Sequence, residues 1–474
     1  MTMLQDRAAR QSPARPSMSG RQKLVLVLLL GSQFMLAIDF SILNVALPVI
    51  GDGLGFKLAN LQWIATAFAL CAAGFTLLFG RVADLFGRRR LFLAGMALLG
   101  LSSLAGGLAV NPTMLLVARV AQGLATAMVT PAGLALLTTS FSEGPLRDRA
   151  LGLNGALMSA GFTTGAILGG LLTDMLSWRW AFFINVPIAA AALAAAPALI
   201  AESRPATHTR MDLPGAVSVT GGLLALVYGL TNAAEHGWVD PMTLGSLVVA
   251  VLLLVAFWFV EKRAAAPLVP LSVLKRSTVS WGNLAGLIAF LTETSLVFLL
   301  TLYLQTVLGY SALATGLAFG VLGLGTVVGG VVAPRILARS DFRTVLTAGF
   351  GIQAAATASL FLLGDDRSSL ALLLVATFVG GFGNMLAIVG FMVAATSGLP
   401  DSEQGLATGL ATMTQQLGIT MGIPIMSAIA TAGMSGGGSV LDGVNAAILV
   451  NAALVLAGGV LTWIFLRRQA NLPT

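Results

Sequence analysis

The stretch Gly80-Arg-Val-Ala-Asp84-Leu-Phe-Gly87-Arg-Arg-Arg90 lies between two long apolar segments of the chain. Its four arginines and one aspartate stand within eleven residues, although charged residues make up only 9% of the sequence. Membrane proteins carry most of their Lys and Arg in aqueous loops, not in their apolar spans. The stretch therefore predicts a polar loop that joins two membrane-spanning helices.

The segments on both sides of this loop are typical of a helical membrane protein. The chain has 474 residues, of which 57% are apolar, and apolar runs recur along its whole length. Runs of about 18 residues or more can cross a bilayer as helices, whereas the alternating segments of a membrane β-barrel are not evident. We predict an all-α integral membrane protein with 14 transmembrane helices, twelve being the competing count. The predicted helices are 24–48, 60–80, 91–109, 113–138, 147–173, 181–200, 214–230, 243–260, 277–307, 314–337, 344–363, 369–395, 404–432 and 446–466.

The distribution of Lys and Arg predicts which side of the membrane each loop occupies. One set of loops, together with both termini, contains almost all of these cations, whereas the other set contains only Lys57, Arg179 and Arg367. Basic loops remain on the cytoplasmic side, so we predict a multi-pass protein of the cell membrane with cytoplasmic N and C termini. The net charge of +7 then reflects topology, and no nucleic-acid partner is expected.

The residue types that catalysis or metal binding would need are scarce. Cys71 is the single cysteine, and His208 and His236 lie in different loops, which argues against a metal site. None of the four lysines follows a glycine, as the lysine of a phosphate-binding Walker loop does. No nucleophile–base pair is visible. We therefore expect neither a cofactor nor an enzymatic activity, and uphill transport would have to be driven by an ion gradient.

An internal repeat predicts two related halves, as in many secondary transporters. When the sequence is shifted by 254 residues, Arg81 matches Arg335, and Gly95 matches Gly349. The shift is longer than six helices, which leaves two extra spans between the halves. The predicted domains are a cytoplasmic N-terminal tail (1–23), an N-terminal six-helix bundle (24–200), a linker with two extra transmembrane helices (201–276), a C-terminal six-helix bundle (277–466) and a cytoplasmic C-terminal tail (467–474).

Three ionisable residues lie inside predicted helices: Asp39 in the first, Arg119 in the fourth and Glu293 in the ninth. Charges are costly within a bilayer and mark ion or substrate pathways. A rise of ~1.5 Å per residue from the helix ends places all three at a similar depth. Arg119 can hold a carboxylate ionised until a proton or a cationic substrate competes for it. We predict that these three residues couple transport to protons, with Asp39 as the favoured carboxylate; the alternative that Asp39 only fixes packing stays open.

Polar, aromatic and thioether side chains in the same helices are candidates for a substrate cavity. Met and Phe are plentiful, and the flexible thioether of Met adapts to varied apolar ligands. Neighbouring residues point to different faces of a helix, so at most one of Gln415 and Gln416 is expected to face a cavity. The candidates are Gln33, Phe34, Asn44, Trp63, Gln122, Met128, Asn384, Gln415 and Gln416.

The fifth helix carries glycines at spacings of three to four residues, which places several of them on one face. Small residues on one face let two membrane helices approach closely. The pattern favours either plain packing or a hinge or seal that works during alternating access. The glycines are Gly161, Gly165, Gly169 and Gly170.

Seven motifs, taken in order, resemble those of the fourteen-helix drug:proton antiporter family of the major facilitator superfamily. In the fifth helix that family typically has two prolines, at the positions where this chain has Phe162 and Ala166. The resemblance covers the chain from Gln33 to Arg468. The motifs are DFSILNVALP from Asp39, GRVADLFGRRR from Gly80, RVAQG from Arg119, WRWAFFINVP from Trp178, Asp212-x-x-Gly215 before the first extra helix, YLQTVLGYS from Tyr303 and GLATGLATMTQQLG from Gly405.

The resemblance implies the fold of that superfamily and a monomer that exports lipophilic drugs or antibiotics, cations included, in exchange for protons. It also implies that the stretch from Gly80 to Arg90 stabilises one conformation of the transporter. Asp84→Asn would then impair transport but leave substrate binding largely intact. Two alternatives stay open: a dedicated exporter of one endogenous metabolite or self-made antibiotic, and a proton-linked uptake transporter. The predicted gating-loop residues are Gly80, Arg81, Asp84, Gly87, Arg88 and Arg89.

Overall fold

A computed structural model describes residues 18–56, 60–141, 145–203, 213–264, 274–397, 401–434 and 437–466. All regular elements in these ranges are helical. The predicted C-terminal tail, most of the predicted N-terminal tail and parts of the predicted linker lie outside them. The helices are α1 (Gly20–Leu54), α2 (Gln62–Phe86), α3 (Arg88–Gly107), α4 (Pro112–Ser140), α5 (Pro145–Met175), α6 (Trp180–Leu199), α7 (Leu213–His236), α8 (Pro241–Arg263), α9 (Ser277–Val307), α10 (Ala312–Leu337), α11 (Phe342–Leu362), α12 (Ser369–Thr396), α13 (Asp401–Met434) and α14 (Val440–Phe465).

The prediction of a multi-pass helical membrane protein is confirmed. In the described part of the chain, twelve helices are long and apolar enough to cross a membrane, and α2 passes the same test as a bent pair of segments. α8 illustrates the reason for the high apolar content. In its most apolar 18-residue segment only 11% of the residues are buried inside the protein, and side chains such as Val248, Leu252 and Phe259 are exposed. In a bilayer such side chains contact lipid, so a membrane helix can be apolar all round.

Side-chain caps fix several helix starts. Ser19 and the side chain of Gln22 form a reciprocal capping box at the start of α1, and Asn111 accepts a hydrogen bond from the backbone N–H of Met114 at the start of α4. Asp240 accepts hydrogen bonds from two backbone N–H groups at the start of α8. These bonds, the one from Thr243 above all, hold the pKa of Asp240 below its usual value. The caps satisfy amides that have no partner within the helix.

Glycines bring the helices into close contact. A methyl group on Gly165 of α5 would lie 2.8 Å from the Ile38 carbonyl oxygen of α1, so only glycine allows this approach. α11 and α12 also approach closely through glycines, since a methyl group on Gly383 would lie 2.7 Å from the Gly349 carbonyl oxygen. Gly165 therefore allows α1 and α5 to pack closely, and a hinge or seal role for the fifth-helix glycines stays a prediction.

The helix α7 packs across one of the two lines along which the halves meet. Thr220 of α7 donates a hydrogen bond to the Gly74 carbonyl oxygen of α2, and Ala216 of α7 belongs to one apolar cluster with Ala407 and Leu410 of α13. α2 and α13 also contact each other directly, since Thr420 donates to the Ala69 carbonyl oxygen at 3.0 Å. α7 is thus packed against both α2 and α13, whereas α8 lies at the periphery.

The prediction that the stretch from Gly80 to Arg90 forms a polar loop was wrong. α2 continues to Phe86 and α3 begins at Arg88, so only Gly87 lies outside a helix. Gly87 has a φ of 111°, a backbone conformation that favours glycine, and the residues before it contain no helix breaker. Arg88 lies one turn after Asp84 and pairs with it at 2.9 Å. We call the face of the bundle where this junction lies the basic face, and the face where α1 and α9 end the opposite face.

Candidate functional site

The carboxylate of Asp39 lies at the centre of a buried polar network in the first half. Asp39 is 0% and Arg119 1% exposed, and an Arg119 guanidinium nitrogen lies 3.3 Å from the carboxylate. Arg119 also donates to Gln122 at 2.8 Å and to the Ile64 carbonyl oxygen of α2 at 2.8 Å. The ring of Phe68 lies 4.2 Å from the guanidinium carbon. The arginine charge is therefore balanced by one carboxylate, two further hydrogen bonds and an aromatic face.

Two further side chains complete the shell of Asp39. Gln122 of α4 donates to the carboxylate at 3.2 Å, and the amide of Asn185 in α6 also donates to it. Both amides donate in addition to the Ser103 hydroxyl of α3, at 2.8 and 3.1 Å. α1 is in this way bound through one carboxylate to α4 and α6, and through the shared hydroxyl to α3. The carboxylate therefore holds α1, α4 and α6 in one hydrogen-bonded network.

A cavity of about 380 Å³ lies between the two halves. Its wall is mostly apolar, with a few polar groups, which is the composition of many small-molecule sites. Asp39 and Arg119 do not line it. The apolar wall includes Phe40, Phe162, Phe290, Phe319, Met158, Met385 and Met392, and the polar wall includes Gln33, Asn44, Asn154, Glu293 and Gln415.

Glu293 is the carboxylate of this cavity wall. Its side chain makes no hydrogen bond or ion pair with any residue that the structure describes. Phe290, one turn earlier on α9, lines the cavity beside it. A carboxylate in such a wall can take up a proton or pair with a cationic ligand, because either event removes the cost of an unpaired charge in an apolar place.

The nine predicted cavity residues fall into two groups. Gln33, Asn44 and Gln415 line the cavity, and the other six do not. Gln415 and Gln416 differ in this respect because successive residues are rotated by about 100° around a helix. The six residues elsewhere are Phe34 in the packing between α1 and α5, Trp63 beside Tyr228, Gln122 in the Asp39 network, Met128 against α3, Asn384 of α12, which donates a hydrogen bond to α9, and Gln416.

The halves are in close contact at the opposite face. A methyl group on Gly170 of α5 would lie 2.5 Å from the Ala312 carbonyl oxygen of α10. Next to this contact, Asp174 of α5 accepts a hydrogen bond from the Leu313 N–H in the first turn of α10, at 3.0 Å. Gln305 of α9 donates to the Val45 carbonyl oxygen of α1 at 2.7 Å. These contacts join α1 and α5 to α9 and α10 at that face.

At the basic face, the junction between α2 and α3 is attached to the residues that follow α6. Glu202 accepts hydrogen bonds from the backbone N–H groups of Arg89 and Arg90, at 3.0 and 3.2 Å. Arg89 also donates to the Ile200 carbonyl oxygen at 2.9 Å. A methyl group on Gly87 would lie 2.7 Å from the Glu202 carboxyl carbon. The φ of 111° favours glycine at this position, and the end of the Glu202 side chain lies against it.

Several members of these sites were missed in the sequence. Ser103 was not predicted. The shift of 254 residues that relates Asp39 to Glu293 also relates Ser103 to Thr357, so the internal repeat was a signal that could have pointed to it. Asn185 was visible as a polar residue within an apolar segment. No pattern pointed to Glu202, because its partners are backbone amides in a segment more than 100 residues away.

Comparison with known proteins adds to this geometry. The family model described as Major Facilitator Superfamily matches residues 29–423. The chain is 38% identical to a cephamycin export protein of Amycolatopsis lactamdurans over 89% of this chain and 88% of that protein. It is 37% identical to a puromycin resistance protein of Streptomyces alboniger over 93% and 90% of the two chains.

The fold is also found among solved structures. The crystal structure of a nucleoside transporter matches with a TM-score of 0.64, covering 94% of this chain and 100% of that one. Its sequence identity is 12%, so the match concerns the fold alone.

Proposed function

Because the chain belongs to the major facilitator superfamily and is a transporter, not an enzyme, we propose that it exports lipophilic drugs or antibiotics, cations among them, in exchange for protons. The observation that carries this proposal is the carboxylate of Glu293, which lies unpaired, within the described residues, on the wall of an otherwise mainly apolar cavity. Such a wall fits an apolar molecule with one positive charge. The two relatives, an export protein and a resistance protein, also support drug export.

We also propose the topology and the assembly state. α2 and α5, added to the twelve helices that pass the length and hydropathy test, give fourteen spans, arranged as six in 24–200, two in 201–276 and six in 277–466. The basic face would be cytoplasmic because it carries the excess of Lys and Arg. Both termini would then be cytoplasmic in a monomeric protein of the cell membrane. No cofactor is needed if the proton gradient supplies the energy.

Asp39 is proposed as the proton-coupling carboxylate and Arg119 as its partner. Protonation would remove the attraction between this carboxylate and Arg119, and would weaken the hydrogen bonds that it accepts from α4 and α6. α1 would then be free to move together with α5, which is packed against it through Gly165. Since Gly170 and Asp174 of α5 form part of the contact at the opposite face, a proton on Asp39 would favour opening there.

Glu293 and Asp39 would have separate tasks in this mechanism. Glu293 lines the cavity and would meet the substrate, whereas Asp39 is enclosed by protein and does not line it. Substrate and proton would then communicate through movement of α1 and α9, and not by competing for one carboxylate. Arg119, which can hold a carboxylate ionised, would serve Asp39 in this mechanism, since the two groups lie 3.3 Å apart.

A second candidate function is export of one metabolite, such as an antibiotic made by the same cell. The cephamycin export protein, at 38% identity, favours it. The two functions differ in breadth: a drug exporter would lower the accumulation of several unrelated lipophilic compounds, and a dedicated exporter that of one. Measuring the accumulation of a panel of compounds in cells that express the protein, with and without a protonophore, separates them. Accumulation that is unaffected by the protein for every compound would contradict both.

The close contact at Gly170 predicts a conformational effect. Gly170→Ala is expected to raise the population open at the opposite face about tenfold, because overpacking of this contact costs about 1–3 kcal/mol. The measure is alkylation of Asn44→Cys, in a Cys71→Ala background, by an impermeant thiol reagent outside intact cells. Gly31→Ala is the matched control, since its methyl group would meet nothing within 4 Å. Equal alkylation rates in the two variants would contradict the prediction.

Asp84 is proposed to act on conformation and not on substrate. Asp84→Asn removes the charge that pairs with Arg88 at 2.9 Å, and we expect transport to fall about tenfold, within the range of conformational coupling energies. Substrate binding by the purified protein should change little, because Asp84 does not line the cavity. The control is Asp365→Asn, an exposed carboxylate in the turn before α12. A large loss of binding by Asp84→Asn would exclude a gating role.

A further inference from the structure

The second half contains a polar network that lies behind the turn carrying Glu293. It consists of three buried amides from three helices: Gln353 of α11, Asn384 of α12 and Asn451 of α14, which are 0–2% exposed. None of the three lines the cavity. The proposed function leaves this network without a role.

The hydrogen bonds of the network converge on two turns of α9. Asn451 donates to the Thr292 carbonyl oxygen at 2.9 Å and to the Ser295 hydroxyl at 3.0 Å. Asn384 donates to the Ala289 carbonyl oxygen at 3.1 Å. Gln353 donates to the Thr292 hydroxyl at 3.3 Å, and its own oxygen accepts from Asn384 at 3.4 Å. Except for that link between two amides, every bond that these amides donate goes to α9.

The bound groups and the cavity-lining groups lie on opposite sides of α9. Ala289, Thr292 and Ser295 are fully buried against the neighbouring helices. The cavity is lined instead by Phe290, Glu293, Thr294 and Val297. Because Thr292 and Glu293 are consecutive, holding the Thr292 carbonyl and hydroxyl fixes the rotation and height of α9 where the carboxylate leaves it.

The first half offers a direct comparison. There α4 and α6 bind the carboxylate of α1, Asp39, and the Ser103 hydroxyl of α3 accepts hydrogen bonds from the same two amides. In the second half the corresponding helices α11, α12 and α14 bind the backbone and hydroxyls of α9, and Glu293 faces the cavity. Two amide oxygens, of Asn384 and Asn451, have no hydrogen-bond partner in the described part of the protein. The donors of these amides, and not their acceptors, are thus used in the contact with α9.

We propose that Asn451, together with Gln353 and Asn384, is a positioning residue that holds the Glu293 carboxylate toward the cavity. The proposal rests on the role of Glu293 in the proposed function. Loss of one amide leaves buried acceptors on α9 with fewer donors and frees this part of the helix to rotate or shift. The carboxylate would then spend less time against the apolar wall.

The test is carbodiimide labelling of Glu293, because dicyclohexylcarbodiimide modifies carboxyl groups that are protonated in apolar surroundings. Purified protein in detergent is labelled across a range of pH, and the modified residue is identified by mass spectrometry. Asn451→Leu and Gln353→Met keep the side-chain volume but remove the amide. We expect each to slow labelling of Glu293 about threefold or more, a size typical of coupling within a hydrogen-bonded network.

Asn445→Leu is the matched control, since Asn445 lies on the same helix and makes no hydrogen bond to α9 among the described residues. Its labelling rate should equal that of the unsubstituted protein. If Asn451→Leu fails to fold, as judged by gel filtration and thermal unfolding, Gln353→Met carries the test. Unchanged labelling in a folded variant would overturn the proposal, as would a lack of Glu293 labelling in the unsubstituted protein. The assay needs no transport, so failure of proton-coupled export would be detected separately.

Discussion

Replacing Glu293 with glutamine is expected to reduce export of cationic drugs about 100-fold while export of neutral drugs of similar size falls less than about threefold. Glutamine preserves the size of the side chain and its ability to form hydrogen bonds, but it removes the negative charge. A cation that enters a largely apolar cavity without a counter-charge loses a charged interaction of several kcal/mol. The measurement is the initial rate of efflux for matched pairs of amine and neutral compounds.

The control for this prediction is Thr294→Val, which removes a polar group from the adjacent position of the same wall. Its hydroxyl already donates to the Phe290 carbonyl oxygen at 2.9 Å, so it should not affect the ratio of cationic to neutral export. An equal loss for both classes of compound in Glu293→Gln would indicate a structural or proton-carrying role. Unchanged cation export would remove Glu293 from the substrate site.

Replacing Asp39 with asparagine is expected to abolish proton-coupled export. The variant keeps the shape of the side chain but can no longer switch between a charged and a neutral form. It also leaves the buried guanidinium of Arg119 without its counter-charge, which commonly costs about 3–5 kcal/mol of stability. Efflux should fall to the background of cells without the protein, and the purified variant should unfold at a lower temperature.

A double variant separates the loss of coupling from the loss of stability. Asp39→Asn combined with Arg119→Gln removes both charges of the buried pair, so thermal stability should recover toward that of the unsubstituted protein. Coupled export should remain absent, because the titrating carboxylate is still missing. Recovery of export in the double variant would assign Asp39 to packing alone, which is the alternative that the sequence left open.

The membrane-spanning helices could be predicted because each depends on local composition. Runs of apolar residues, and the arginines between them, mark the spans without knowledge of their neighbours. The pairing of Asp39 with Arg119 could also be predicted, because each buried charge needs a partner of opposite charge and few ionisable residues lie inside the helices.

What could not be predicted depends on contacts between distant segments. Gly80 to Phe86 was predicted as a loop, but it stays helical up to Gly87, and the junction is held by Glu202, which binds the backbone N–H of Arg89 from more than 100 residues away. Asn384 and Gln122 are polar residues of the kind that line cavities. Because of the rotation of their helices, their side chains instead donate hydrogen bonds to α9 and to Asp39. Rotation is set by packing around the whole helix, and a motif does not contain that information.

Proton release that depends on substrate tests the central claim most directly. The purified protein is reconstituted into liposomes with a pH-sensitive dye inside, and an exported compound identified in the accumulation assay is added. We expect a substrate-dependent proton flux, opposite in direction to the substrate, that is absent from Asp39→Asn liposomes containing an equal amount of folded protein. Substrate transport without any proton flux, or a normal flux through Asp39→Asn, would contradict proton-coupled export through Asp39.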